Sequence, residues 1–316
     1  MGSETTKRAK SPRFRRPRNV PDTAITAESR RHLERIREFR FLSSEQLDVI
    51  FGGSSRYRRE RLKSLWRAGY LDRPRVQIER FAKAGSLPLV YGLSTKGARY
   101  LAGLEATKPA LHLSRKNEGA GRPFIEHTLR TADVMLAFER SCKAGKCDVE
   151  LWGPREVLAQ APSRTREAKR PFVWYAVLTS EREKETVGVE PDRVFGLHAR
   201  KGTVSWFMLE TDCGTMPVSR KRLRTSSIRR KILGYREAFA KKRHETQFNW
   251  PAFRVLIVTT TEARLRSMQQ CVREVYGRGS SMYLFATFDE LKGTDVLRHA
   301  FRNGKGERVP LLKDCA

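Results

Sequence analysis

The stretch from Ser54 to Leu71, SSRYRRERLKSLWRAGYL, limits the fold more than any other part of the chain. An α-helix there puts Arg56, Arg59, Lys63 and Arg67 on one side at steps of three and four, and Leu62, Leu65 and Trp66 on the other. Ser54 or Ser55 suits the N-cap and Gly69 the stop. Such a helix packs its apolar side into a core and leaves about one cation per turn outside, the layout of a helix that lies in a DNA major groove. The plainer alternative is a solvated basic face on an ordinary amphipathic helix.

Composition favours the first reading. The chain has 316 residues, enough for two domains, with 64 Lys plus Arg against 35 Asp plus Glu and a formal charge of +29. That excess points to a polyanionic partner, double-stranded DNA first of all. No apolar run reaches the roughly 18 residues that span a bilayer, and no basic amphipathic segment stands apart, so a membrane partner is not expected. The five cysteines are scattered and lack a CxxC pair, which predicts a reducing, cytoplasmic setting without a disulfide framework or zinc site. No secretory h-region is expected. Residues 1–22, rich in Arg, Lys and Pro, read as a disordered basic tail.

Residues 27–104 read as one folded unit. A helix with Leu33, Ile36 and Phe39 on one stripe precedes a second that Ser43 or Ser44 caps, and Gly52-Gly53 leads into the Arg-faced third. Two β-prone runs, Arg75–Arg80 and Leu87–Leu93, flank a basic tip over 81–86. Three helices and a hairpin are the outline of a winged helix-turn-helix. Arg56, Arg58, Arg59 and Lys63 are the expected recognition residues, Arg67 shares their face, and Lys83 at the wing tip is expected to meet phosphate. Some domains of this outline only dimerise, which would make the protein a homodimer. Residues 105–121 (EATKPALHLSRKNEGAG) read as a linker.

Residues 122–316 read as an α/β domain on a mixed sheet. A helix starts at Pro123, and strands follow at Val149–Trp152 and Phe172–Leu178. Glu190–His198 and Thr203–Asp212, joined by a turn at 200–202, form an antiparallel pair that brings Asp192 beside Glu210 and Asp212. A basic helix over 226–243 carries Arg229, Arg230, Lys231, Lys241 and Lys242, with Ile228, Ile232, Tyr235 and Phe239 on its apolar side; Arg229, Arg230, Lys241 and Lys242 are expected to contact DNA phosphates. A strand at Phe253–Thr259, a helix at Glu262–Tyr276 and a strand near Tyr283–Ala286 complete the pattern.

Pro-Asp followed by Glu-x-Lys on the adjacent strand marks the restriction-endonuclease-like fold, and the element order here resembles it. In that chemistry Asp192 and Glu210 would hold Mg²⁺, which polarises a phosphodiester and activates water. Asp212 stands where the lysine is expected. It would then serve in the catalytic set as a third metal ligand, with Lys221 or Lys231 supplying the cation. The plainer reading pairs the three carboxylates with the arginines that crowd this region.

Taken together, Tyr91–Gly97 (Y-x-L-[ST]-x-x-G), His127, Pro191-Asp192, Glu210-Thr-Asp-Cys-Gly-Thr215 and Tyr235 resemble the bacterial replication-relaxation family. That resemblance implies a DNA-binding accessory protein of a plasmid or integrative mobile element, with Glu-x-Asp as a family trait. A nuclease, and a scaffold that recruits a relaxase or replication initiator, are the alternatives. The six histidines are dispersed, which argues against a relaxase site of the tyrosine type.

Overall fold

The computed structural model describes residues 14–17, 20, 23–78, 87–179, 183–200 and 202–312. It divides into two compact units, Met1–Ala132 and Asp133–Ala316. Most of the N-terminal tail, the tip that carries Lys83, and the turn residue 201 lie outside the described residues.

The first unit runs α1 (Ala27–Phe39), β1 (Phe41–Ser43), α2 (Ser44–Phe51), α3 (Ser55–Arg67), β2 (Leu71–Asp72), β3 (Val90–Leu93), α4 (Thr95–Leu104) and α5 (Leu113–Glu118). Each helix start has a local cause. Ser43 and Gln46 form a capping box on α2, and Ser54 and Ser94 cap α3 and α4 through their hydroxyls. A small antiparallel sheet, in the order β1-β3-β2, closes the unit.

Of the run Arg75–Arg80, expected as a strand, residues 79–80 lie outside the described residues, and Arg75–Gln77 form a 3₁₀ turn. Pro74 begins it, and the Gln77 side chain does the pairing in place of backbone. Its amide donates to the Val90 carbonyl (3.1 Å) and accepts from the Val90 N–H (2.9 Å). Within the stretch read as a linker, α5 is helical and packs on β3. Its Asn117 is buried and donates to Leu93 O (2.8 Å) and Asp72 (3.0 Å). Arg16 is also anchored, donating to Trp66 O (2.7 Å) and Leu71 O (2.8 Å), carbonyls near the C-terminal end of α3 that a guanidinium fork satisfies.

The Tyr91–Leu101 motif has a structural cause throughout. Tyr91 and Leu101 are buried, Ser94 caps α4 and donates to Gly69 O (2.6 Å), and a Cβ at Gly97 would overlap the Tyr70 carbonyl oxygen.

The second unit begins within α6 (Arg122–Lys143). It continues with β4 (Val149–Trp152), α7 (Pro154–Ala159), α8 (Ser163–Arg166), β5 (Trp174–Thr179), β6 (Lys184–Val189), β7 (Arg193–Ala199) and β8 (Val204–Asp212). Then come α9 (Ile228–Ala240), α10 (Arg243–Phe248), β9 (Arg254–Thr259), α11 (Glu262–Tyr276), β10 (Tyr283–Thr287), α12 (Phe288–Leu291), β11 (Ala300–Asn303) and β12 (Arg308–Pro310). Seven strands form one mixed sheet, β12-β11-β10-β9-β8-β7-β4. β8, β9 and β10 run parallel, with α9–α10 and α11 as crossovers, and the flanking strands are antiparallel. β9, RVLIVT, is a nearly unbroken apolar run because both of its faces are covered.

β5 stays out of this sheet and pairs with β6 as a separate hairpin that packs on α9. Trp174, Phe248, Trp250 and Phe253 stack between hairpin and sheet, with Trp206 and Trp250 centred 4.7 Å apart. No helix among the described residues is long and apolar enough to cross a membrane.

The Gly97 approach yields a prediction. Gly97→Ala forces a methyl group against backbone and should destabilise the N-terminal unit by about 1–3 kcal/mol in urea denaturation. An unchanged midpoint would mean that α4 is free to move away from Tyr70.

Candidate functional site

On α3, Leu62, Leu65 and Trp66 are buried, while Arg56 and Arg59 are exposed. Lys63 is half-buried and sits 3.2 Å from Glu60, and Arg67 is half-buried. Arg58 departs from the expectation. It is only 5% exposed, its Nε lies 2.8 Å from Asp48 Oδ1, and its guanidinium donates to Gly52 O (2.9 Å). Arg58 therefore braces the α2–α3 turn and is not presented to a groove. The spacing held the signal, since 58, 62 and 65 share one helical stripe. Arg61 is likewise paired with Glu28.

One residue of this face escaped the sequence reading. Tyr57, next to Arg56, is 79% exposed, more than any other large hydrophobic side chain among the described residues.

In the second unit the register Arg193↔Leu209 brings Asp192 and Glu210 to the same end of the β7–β8 pair. Asp192 accepts from Thr211 N–H (2.7 Å) and from the Thr211 hydroxyl (2.9 Å). Glu210 and Asp212 face the helices that cover this side of the sheet, and both are buried. Lys231 Nζ donates to Glu210 Oε2, and Tyr235 donates to Oε1 (2.6 Å). Both donors come from α9, one turn apart.

Asp212 receives Arg264 of α11 in a two-point contact (Nη2 to Oδ1, 2.7 Å; Nε to Oδ2) and the Thr259 hydroxyl (2.6 Å). The three carboxylates lie at one end of the β7–β8 pair, each with its own partners. Lys231 pairs with Glu210, and an arginine, Arg264, pairs with Asp212, as the plainer reading of the sequence expects.

Burial pushes the Glu210 carboxyl up to about 7 and Asp192 adds to the rise, while Lys231 and Tyr235 pull the other way. Burial works against the charge on Lys231, but Glu210, and after it Asp192, outweigh this and hold its pKa above the usual lysine value.

The donor set does not fit Mg²⁺. An oxygen-rich site would need these carboxylates to face an open position. Instead an ammonium sits against Glu210, and a guanidinium spans both oxygens of Asp212. Among the described residues no group of three or more His, Cys, Asp or Glu is placed to share a metal ion. Asp192, Glu210 and Asp212 are tied into internal polar contacts, and no catalytic step is derived from them.

The basic helix is not one face. Arg229 and Arg230 are half-buried at its N-terminal end, Lys231 turns inward, and Lys241 and Lys242 are exposed past its C-terminus, with Lys242 3.3 Å from Glu245.

The replication-relaxation family model matches residues 33–250, a span that takes in α3, the Tyr91 motif, the three carboxylates and Lys231 and Tyr235, but neither Thr259 nor Arg264. The chain belongs to the replication-relaxation family. No curated protein and no solved structure matches it significantly.

A prediction follows from Glu210. Its folded-state pKa lies above the ordinary 4.5, so its contribution to stability is fully present below about pH 4.5 and is lost as pH rises to about 7. Wild-type stability minus that of Glu210→Gln, read from urea melts across pH 4–8, should fall through that window and level off above it. A difference that rises with pH there would contradict the raised pKa.

Proposed function

We propose that the protein binds double-stranded DNA as a replication accessory factor of a plasmid or integrative mobile element. Residues 27–104 act as a winged helix-turn-helix and α3 lies in the major groove. One observation carries this reading: α3 keeps Arg56, Tyr57 and Arg59 on its solvent side while Leu62, Leu65, Trp66 and the braced Arg58 secure the other. The arginines suit guanine edges, and the Tyr57 ring suits a thymine methyl or a phosphate. Lys63 and Arg67 on the same helix, and Arg229, Lys241 and Lys242 in the second unit, supply phosphate contacts. The net charge of +29 and the family's name both support the reading.

Gel shifts on the element's own origin region test it. Arg56→Ala with Arg59→Ala should cost about 1–3 kcal/mol per lost base contact and flatten the preference among sequences. Lys241→Ala with Lys242→Ala should weaken all sequences alike and lower the log–log salt slope by about 0.9 for each phosphate contact removed. Unchanged preference in the first pair rules out the groove assignment. Weak, unselective DNA binding beside a stable complex with a relaxase or replication initiator would make the protein a recruiting scaffold instead.

A further inference from the structure

A cleft of about 210 Å³ opens between the β5–β6 hairpin and the start of α9, with Arg170, Glu190, Ser226, Ser227, Arg230 and Lys231 in its lining. Two of its three cations have partners: Arg170 donates to Glu190 (2.5 Å), and Lys231 to Glu210. The third is Arg230, whose guanidinium has no hydrogen-bond or ion-pair partner among the described residues. A permanently charged guanidinium in a cleft lining, without a carboxylate of its own, is suited to an oxyanion.

Size narrows the occupant. The cleft is smaller than the roughly 300–1,000 Å³ that drug-sized ligands fill, so it takes a small group and not a whole nucleotide.

We propose that this cleft binds a single phosphate group, held by the Arg230 guanidinium with Lys231 and Arg170 beside it. The phosphate belongs to a nucleic-acid strand or is free in solution; for the first source the proposal rests on the DNA-binding reading, for the phosphate itself it does not.

Inorganic phosphate is titrated into the full-length protein in chloride buffer and followed by calorimetry. Wild type should bind, Arg230→Met should bind about tenfold or more weakly, and Arg230→Lys should fall between, since it keeps the charge but loses the fork. Should the Met variant fail to fold, the Lys variant carries the comparison. No binding to wild type, or equal affinity in a folded Arg230 variant, overturns the proposal.

Competition separates the sources. Displacement of phosphate by a 5′-phosphorylated oligonucleotide but not by its unphosphorylated form supports a strand end. Displacement by both supports a backbone phosphate, and by neither a free ion. Arg56→Ala with Arg59→Ala should leave phosphate binding intact, so failure at α3 and failure at the cleft are read apart.

Discussion

A carboxylate buried at the end of a central strand sets the terms for everything around it. Glu210 is 4% exposed and cannot keep its charge there without donors, because burial favours the neutral acid. Both donors come from α9, at positions 231 and 235. That pair fixes how the helix is rotated on the sheet. With Lys231 and Tyr235 turned to β8, Gly234 is directed at the hairpin, where a Cβ would run into Val189, and Arg230 is left at the cleft. Sheet, hairpin and cleft are therefore assembled around one acid, and the hairpin's close approach to α9 depends on a glycine that lies beside the donors.

The same reasoning explains what the sequence could and could not convey. α11 was legible to the residue, at Glu262–Tyr276, because a Thr261 cap and a regular apolar stripe coincide. The antiparallel β7–β8 pair was legible for a similar reason: turn and strand signals agree, and the period of two brings Asp192 opposite Glu210. β6 was missed. Its sequence, KETVGV, buries only Val187 and Val189, and half of a short hairpin strand gives little periodic signal. α5 was missed because its helix depends on a tertiary contact, the buried Asn117 on β3, and not on an apolar stripe. The 3₁₀ turn at Arg75–Gln77 hides for a related reason, since a side-chain amide does there what a strand backbone usually does.

Arg58 shows the limit of reading charge by type. Counted as a cation it belongs with Arg56 and Arg59; placed by angle it belongs with Leu62 and Leu65, and the angle decides. A net charge of +29 is thus not spread evenly over function. Some arginines are consumed as struts: Arg58 on Asp48, Arg61 on Glu28, Arg264 on Asp212 and Arg302 on Glu262 and Glu290. What remains exposed is a smaller set, and its placement matters more than the total.

The missing lysine of the nuclease-like motif follows from the same division. In a Glu-x-Lys arrangement the strand itself carries the cation, two residues after the acid and on the same face. Here that position holds Asp212, and the cations arrive from outside the strand, Lys231 from α9 and Arg264 from α11. Moving the positive charge onto helices frees the strand end to hold a second acid, and it also closes both acids to any further cation. A metal would have to displace an ammonium and a guanidinium that already neutralise the carboxylates within a largely water-excluded corner, at a cost of breaking buried pairs. Glu210 and Asp212 are then a clamp that fixes α9 and α11 on the sheet, and Arg230, which α9 has left over, lines the cleft and not the acids.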